Sequence, residues 1–371
     1  MNSLNTILLL VVLLSSFFGS YGFTQGDKFS ASAPNTCVNF LEPTPYGSVY
    51  SWFPHNTQYD VEISKIRIKN QCALSHCHLY SWISELEHTS GIELSVAYLD
   101  AMNIYQKAIE TLRQGEFKLN LGSNSIDSRD SISSYGLIPE NVWTAKKDYS
   151  SVNSYSKLFA GLESILLNAT LQSTNFEDTE QIIFNFIQQM IGAWPSTFMY
   201  NGQEFTPTQF ANHYFKNLNS KLVDVYVSLD GIEGATDLES QTFSKVMLRL
   251  NRENFEDTLM KTLDHGQPVY LSYNHHKQYV DSETGIMSVS AFNYPSVANI
   301  EDREVLSIYH KWTGPHAVLI VGYQKDHHTG RPIKWKIQNS WGEAAGDSGY
   351  FHMYADYFKL HAWGYTYMEN K

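Results

Sequence analysis

The chain has 371 residues, of which 43% are hydrophobic and 14% aromatic, and its formal net charge is −12 at pH 7. This length and apolar content are enough to build a sizeable core, in one large domain or in two lobes. The acidic balance, without any run rich in Lys and Arg, argues against a nucleic-acid surface, because phosphate binding relies on clustered cations. We therefore expect no nucleic-acid partner.

The first 22 residues have the pattern of a secretory signal peptide. Residues 7–18 form a short apolar run, and Ser20 and Gly22 are small residues at the two positions that a signal peptidase reads. The run is too short to cross a bilayer comfortably, and no later segment reaches that length. We predict export to a secreted, endomembrane, lysosome-like or periplasmic location, without stable membrane insertion.

The cysteine count bears on the same question. The three cysteines are Cys37, Cys72 and Cys77, and an odd number in an exported chain leaves one thiol unpaired. The simplest arrangement is a disulfide between Cys37 and Cys72 with Cys77 free, although the spacing alone does not establish this connectivity. Asn168 begins an Asn-Ala-Thr sequon and is a candidate glycosylation site.

The part of the chain that follows the signal peptide is mainly helical in pattern. Residues 23–60 are predicted to be an extended arm, and residues 61–68 alternate like a strand. Apolar residues at helical spacing predict helices from about Cys77 to Gly91 and over about 93–112, 154–167 and 178–191. Residues 123–134 are rich in Ser and Asp and are expected to be a polar turn region.

After about residue 220 the pattern changes to strands. Strands are expected at 222–229, 269–273, 317–323, 335–338 and 350–354, with one helix near 254–264. The end of the chain, from Trp363 onward, is expected to follow the last strand. We predict an α+β protein with a cleft between two lobes, a helical lobe over 61–215 and a β-rich lobe over 216–371.

Residue types that suit thiol chemistry occur in both predicted lobes. Cys77 stands at a predicted helix start, where the N–H groups and the helix dipole lower the pKa of a thiol. Gln71, six residues upstream, can donate to an oxyanion. His316 precedes an apolar strand, and Asn339 and Trp341 follow about twenty residues later. Each residue has an ordinary structural explanation by itself. Together they place a nucleophile in one lobe and an imidazole with an orienting amide in the other, as a thiol protease requires.

In this order and with these neighbours, the residues resemble the papain-like cysteine peptidase family. The resemblance rests on Gln71 with Cys77, on His316-Ala317 and on the run Asn339-Ser340-Trp341-Gly342. It is greatest to the bleomycin hydrolase and aminopeptidase C branch and covers roughly residues 60–358. Stretches outside the candidate site that indicate this branch lie at 93–99, 135–139, 194–210, 266–269 and 339–357.

The resemblance implies a papain-like fold and a peptidase that acts on peptide or protein substrates without a cofactor. Cys77 would be the nucleophile, and His316 would be its acid–base partner. Asn339 would orient the imidazole, Trp341 would cover the His316–Asn339 hydrogen bond, and Gln71 with the Cys77 N–H would form the oxyanion hole. Aminopeptidase or endopeptidase action and the oligomeric state stay open.

The sequence departs from the family pattern at three places. Ser75 stands where family members usually have Gly, and His78 stands where they usually have an aromatic residue. Gly122 is the one glycine in a stretch where the family has a pair, on the far wall of the cleft. Because Ser adopts some Gly-like backbone angles only at a cost, the oxyanion loop is open to alteration. A papain-fold binding protein with weak or no catalysis is therefore the alternative function.

A metal site is a separate alternative, since soft and imidazole ligands stand at close spacing: Cys72, His76, Cys77 and His78. A structural zinc site needs a second, separated pair of ligands, and no later cysteine supplies one. The pairs His275-His276 and His327-His328 are interpreted as solvated loop residues. We therefore predict that the chain holds no metal.

Overall fold

The computed structural model describes residues 49–72, 76–119, 125–146, 149–215, 221–239, 244–292 and 314–369. All of them belong to one compact unit, Cys37–Lys371. The predicted signal peptide, most of the N-terminal arm, and Cys37, Ser75 and Gly122 lie outside the described residues. The boundary predicted between residues 215 and 216 also falls at the edge of an undescribed stretch.

Helices make up most of the described chain between residues 77 and 214. In chain order they are α1 (Cys77–Ser90), α2 (Val96–Arg113), α3 (Ser125–Tyr135), α4 (Val152–Gln172), α5 (Phe176–Ile191) and α6 (Pro207–Tyr214). Side chains cap the starts of α2, α4, α5 and α6; Ser95, for example, accepts from the Tyr98 N–H, and Thr206 forms a capping box with Gln209. Gly91 ends α1 with a φ of 70°, a left-handed conformation that favours glycine.

Strands dominate the part of the second half that the structure describes, and two α-helices lie among them there. The strands are β1 (Val61–Glu62), β2 (Phe198–Tyr200), β3 (Gln203–Phe205), β4 (Lys221–Val227), β5 (Gly234–Glu239), β6 (Ser244–Leu250), β7 (Val269–His275), β8 (Ile286–Met287), β9 (Gly314–Lys325), β10 (Pro332–Gln338), β11 (Tyr350–Tyr354) and β12 (Ala362–Glu369). The two helices are α7 (Arg252–Asp264) and α8 (Ala355–His361).

Most of these strands form one mixed sheet. Its order in the described chain is β5-β6-β4-β12-β7-β9-β10-β11-β8, with β1 added to β9, while β2 and β3 form a separate hairpin. The pairs β4–β6 and β8–β11 are parallel, and the other pairs are antiparallel. The centre of the sheet is therefore β12, β7 and β9, which come from distant parts of the second half.

The two larger apolar cores of the described residues correspond mainly to the two halves of the chain. The first lies among α1–α5, where Leu79, Trp82 and Ile83 of α1 are fully buried. The second lies around the sheet, α7 and α8, with Phe255 and Trp335 fully buried. Helix α1 also contacts β9 and β7, so the start of α1 is held against the middle of the sheet. The predicted α+β class is confirmed.

The structure corrects several predicted elements. Residues 123–134 are not a turn region, because most of them lie in α3; its inward side chains include Ser128, Arg129 and Ser131, so no apolar period was visible. The chain after Trp363 is not a tail, because it forms β12 in the sheet interior. Strands β5 and β6 were not predicted, and the stretch 61–68 is a strand only at Val61–Glu62.

Among the described residues, none of the helices is both long enough and apolar enough to cross a membrane.

Glu85 is a buried carboxyl group on α1 whose ionisation should change the stability of the fold. Its side chain is fully buried, and within the described chain neither carboxyl oxygen has a hydrogen-bond partner. Burial raises its pKa to about 8 from a usual 4.5, and the Arg129 guanidinium acts in the opposite direction. Between these pH values the folded chain holds a proton that the unfolded chain has released, so stability falls as pH rises.

We expect the Glu85→Gln variant to lose this dependence. The free energy of unfolding of the variant minus that of the wild type should rise by about 1.4 kcal/mol per unit between about pH 5 and pH 8. Urea denaturation at several pH values measures it. The exposed Glu116 provides the control variant Glu116→Gln, whose difference from the wild type should stay constant. A constant difference for Glu85→Gln too would contradict a protonated Glu85.

Candidate active site

Cys77 is the first residue of α1 and a free cysteine. Its side chain is half-buried, and the backbone N–H of Ala317 on β9 donates to its sulfur at 3.4 Å. The N–H groups of Cys77 itself and of His78 also act on the sulfur. The helix start and the sheet therefore present N–H groups to the same thiol.

His316 and Asn339 are joined by a hydrogen bond on the sheet. The Nε2–H of His316 donates to Asn339 Oδ1 at 3.0 Å, and the Ser340 N–H donates to the same oxygen at 2.8 Å. Because this oxygen accepts both bonds, the proton of a neutral His316 lies on Nε2, and Nδ1 is the basic nitrogen. The pairing of β9 with β10, with Leu319 opposite Gln338, brings the two residues side by side.

Aromatic rings enclose the imidazole of His316. Trp341 stacks on it, with 5.1 Å between ring centroids and 22° between planes. His275, at the end of β7, contacts the edges of both rings, at 5.8 Å from His316 and 5.2 Å from Trp341. Tyr273 lies on another side of His316, at 5.7 Å. The His316–Asn339 pair is thus held in a largely apolar setting.

The segment Lys69–Gln71, called here the Gln71 segment, runs beside Asn339 and Trp341. The Gln71 N–H donates to the Ser340 carbonyl at 2.8 Å, and the Ser340 hydroxyl donates to Gln71 Oε1. The Ser340 hydroxyl thus holds the side-chain oxygen of Gln71. The side-chain NH₂ group of Gln71 therefore points away from this hydroxyl. Asn70 forms a bridge with Trp341, so the segment is tied to the sheet through its backbone.

Burial controls the ionisation of both reactive groups. It raises the pKa of the Cys77 thiol, and the N–H groups of Ala317, His78 and Cys77 oppose that rise. It lowers the pKa of His316 to about 4, against the effect of the hydrogen bond to Asn339. Each group taken alone is therefore neutral at neutral pH, and a charge on either one requires an opposite charge nearby.

The departure at His78 is accommodated inside the helical core. His78 is buried, and its Nδ1 forms a hydrogen bond with the Ser128 hydroxyl at 2.7 Å. Burial lowers the pKa of His78 well below its usual value, so it is a neutral core residue that joins α1 to α3. The departures at Ser75 and Gly122 lie outside the described residues.

The other candidate residues are distributed as follows. Cys72 is disulfide-bonded, whereas its predicted partner Cys37 is outside the described chain, so that pairing stays a prediction. Asn168 is exposed on α4, and its glycosylation also stays a prediction. No group of three or more metal-ligating side chains occurs among the residues that the structure describes.

The two histidine pairs behave differently from each other. His327 and His328 are exposed in the turn after β9, as predicted. The interpretation of His275 and His276 as solvated loop residues is wrong, because His275 belongs to β7 beside His316 and His276 is buried. Their burial was not predicted because strand β7 extends two residues beyond its last apolar residue.

Sequence reasoning also missed a set of polar residues behind Cys77. His76 was considered only as a metal ligand, but it is fully buried with Asp100 of α2, and Tyr155 of α4 contacts its ring. A weak signal was present at Asp100, since Leu99 and Ala101, its neighbours in sequence within a predicted helix, are both apolar. A carboxylate at such a position is almost never buried without a partner.

The fold and the site together define a papain-like cysteine peptidase. Residues 131–368, more than half of the chain, match the family model described as Peptidase C1-like family. The chain therefore belongs to the Peptidase C1-like family. The matched range includes His316, Asn339 and Trp341 and begins downstream of Cys77.

Individual relatives cover most of the chain at low identity. Aminopeptidase C of Streptococcus thermophilus is 22% identical over 353 residues, covering 79% of this chain and 78% of its own length. Aminopeptidase G of Lactobacillus delbrueckii subsp. lactis is 23% identical over 366 residues, with 81% and 80% covered. The crystal structure of PepW from Lactobacillus rhamnosis has a TM-score of 0.63 at 18% identity, with 85% of this chain and 82% of that chain covered. This likeness confirms the predicted papain-like fold.

Replacing His316 should change the pH at which Cys77 reacts. In a His316→Ala variant no imidazolium is present to lower the pKa of the Cys77 thiol, which burial raises, so alkylation by iodoacetamide should require a pH above about 8.5, the ordinary thiol value. In the wild type we expect the imidazolium of His316 to keep the alkylation rate high at about pH 5.

Mass spectrometry of the peptide that contains Cys77 measures the rate. The same chains unfolded in guanidinium chloride supply the profile of an ordinary thiol. Identical pH profiles for the folded wild type and the folded His316→Ala variant would contradict an ion pair between the two side chains.

Proposed function

We propose that Cys77, His316 and Asn339 hydrolyse peptide bonds as a nucleophile, an acid–base catalyst and its orienting amide. The observation that carries this proposal is the 3.4 Å contact between the Ala317 N–H and the Cys77 sulfur. It brings the residue next to His316 onto the thiol, while His316 is held by Asn339 at 3.0 Å. These two contacts support the mutual arrangement that a thiol nucleophile needs from its acid–base partner and orienting amide.

Proton transfer from Cys77 to His316 starts the reaction. Burial disfavours a lone thiolate and a lone imidazolium, but a thiolate and an imidazolium side by side stabilise each other strongly where water is excluded. The thiolate attacks the peptide carbonyl carbon, and His316 gives its proton to the leaving amine, which produces a thioester. Water, deprotonated by His316, then attacks the thioester and releases the acid and the thiol.

Two donors would stabilise the negative oxygen that forms in each step. They are the side-chain amide of Gln71 and the N–H of Cys77 at the helix start. The hydrogen bonds from Gln71 to Ser340 support this role, because they fix the side chain before the substrate binds. A preorganised donor of this kind typically contributes about 10²–10³ in turnover.

Trp341 would protect the hydrogen bond that orients the imidazole. Its indole is stacked on His316, so it limits the access of water to the His316–Asn339 pair. In a setting with less water, the same hydrogen bond holds the ring orientation and the tautomer more firmly.

We further propose that the enzyme removes residues from the N-termini of peptides. Two relatives that cover about four-fifths of the chain are named aminopeptidase C and aminopeptidase G. Their names support an exopeptidase rather than an endopeptidase for this chain as well. Such an enzyme requires a free α-amino group on its substrate.

One assay tests both the residues and the specificity. The wild type should hydrolyse short peptide amides with a free N-terminus, should leave the N-acetylated forms intact, and should lose activity as Cys77→Ala. His327→Ala, on the exposed turn after β9, is the control and should keep full activity. Peptidase activity in Cys77→Ala would refute the nucleophile, and equal cleavage of free and acetylated peptides would refute the exopeptidase.

We also propose that the protein is exported after cleavage near Gly22. The disulfide bond of Cys72 supports this location, because structural disulfides persist mainly in oxidising compartments. Expression of the full chain in a secreting host should give extracellular protein whose first residue follows Gly22, as read by N-terminal sequencing. Intracellular protein that retains Met1 would contradict export.

A further inference from the structure

A buried polar cluster lies directly behind the proposed nucleophile. His76 immediately precedes Cys77, and both His76 and Asp100 are fully buried. The Nδ1–H of His76 donates to Asp100 Oδ1 on α2. The Tyr155 hydroxyl of α4 lies 2.7 Å from His76 Nε2 and 3.2 Å from His76 Nδ1. Polar groups of two different helices therefore contact the imidazole.

The charge of Asp100 acts on three tyrosine hydroxyl groups. Burial raises the pKa of Tyr80, Tyr149 and Tyr155, and the negative charge of Asp100 contributes to each rise. All three tyrosines thus keep their protons, and Tyr80 and Tyr149 share a hydrogen bond. Within the described chain Asp100 Oδ2 has no hydrogen-bond partner, so the hydrogen bond that fixes this carboxyl group is the one from His76 to Oδ1.

The same histidine occupies the N-cap position of α1. Side chains at this position usually accept hydrogen bonds from the N–H groups of the first turn, and Ser, Thr, Asp and Asn are the preferred residues. His76 makes no such cap, and its backbone has φ −111° and ψ 33°. Because its ring turns inward to Asp100, it does not compete for the N–H groups of Cys77 and His78, which act on the Cys77 sulfur.

Stability alone does not account for this arrangement. Burying a His–Asp pair removes both groups from water, and apolar residues of similar volume commonly give equal or greater stability. The pair instead fixes the orientation of the His76 ring. Through the ring it also fixes the backbone of His76, the residue before Cys77. A displacement of about 1 Å at a reacting group can cost about 10²-fold in rate.

We propose that His76, Asp100 and Tyr155 form a positioning network that fixes the Cys77 backbone and sulfur for catalysis. This inference rests on the proposed role of Cys77 as the nucleophile. The three residues act through Cys77 and do not touch the substrate. Loss of the network should therefore lower turnover much more than it weakens substrate binding.

The test compares Asp100→Asn with a matched variant elsewhere. Asp224 on β4 is equally buried and is bonded to Thr366 and Lys245, so Asp224→Asn removes a buried carboxylate far along the chain from the site. We expect Asp100→Asn to lower kcat and the alkylation rate of Cys77 by about tenfold or more, with KM within about threefold. Asp224→Asn should lower the melting temperature comparably and leave kcat within about twofold.

Tyr155→Phe provides a milder change if Asp100→Asn does not fold. It removes one hydroxyl and should lower kcat and the alkylation rate by about threefold, again with little change in KM. The proposed positioning role would be wrong if Tyr155→Phe had the same kcat as Asp224→Asn. The same conclusion would follow from an unchanged kcat in a folded Asp100→Asn variant. An active Cys77→Ala would instead overturn the proposed nucleophile, so the two failures are distinguishable.

Discussion

The contact between the Ala317 N–H and the Cys77 sulfur joins two parts of the chain that are 240 residues apart. The site depends on it, because the thiol comes from the helical half and the imidazole from the sheet. Helix α1 presents Cys77 at its first position, and the pairing of β7, β9 and β10 sets His316 beside Asn339. Packing of α1 against β9 then determines where the thiol lies relative to the sheet.

The Gln71 segment is the second link between the halves. The Gln71 N–H donates to the Ser340 carbonyl. Gly342 has a φ of 82° and lies so close to Asn70 that a Cβ added at Gly342 would be 2.8 Å from the Asn70 side chain. On its other side, the buried Lys69 bonds to Glu87 of α1 at 3.1 Å and to the carbonyl of Leu94. A buried ammonium group needs such partners. The segment thus fixes the proposed oxyanion donor with respect to both halves.

Sequence reasoning identified the elements whose apolar periodicity is regular. Helix α1, strand β9 and strand β10 were predicted because their buried residues follow helical spacing or form apolar runs. Cys77 begins α1, His316 lies in β9, and Asn339 directly follows β10. Helix α3 was missed because it buries serines and an arginine, which look like a solvent-exposed turn in sequence. Strand β12 was missed because its pairing with β4 and β7 depends on residues about 90 or more positions away. The partners of His76 come from α2 and α4, and no local pattern could show that their side chains meet His76.

The helical half buries an unusual set of ionisable and polar groups around α1, including His76, His78, Glu85 and Asp100. Their desolvation is offset only where the fold supplies partners, which is why the position of Cys77 depends on α2, α3 and α4.

A crystal structure with a bound peptide aldehyde tests the central claim most directly. The account predicts a bond from the aldehyde carbon to the Cys77 sulfur, with the resulting oxygen accepting from the Gln71 amide and the Cys77 N–H. An adduct on another residue, or an oxygen directed away from both donors, would contradict it.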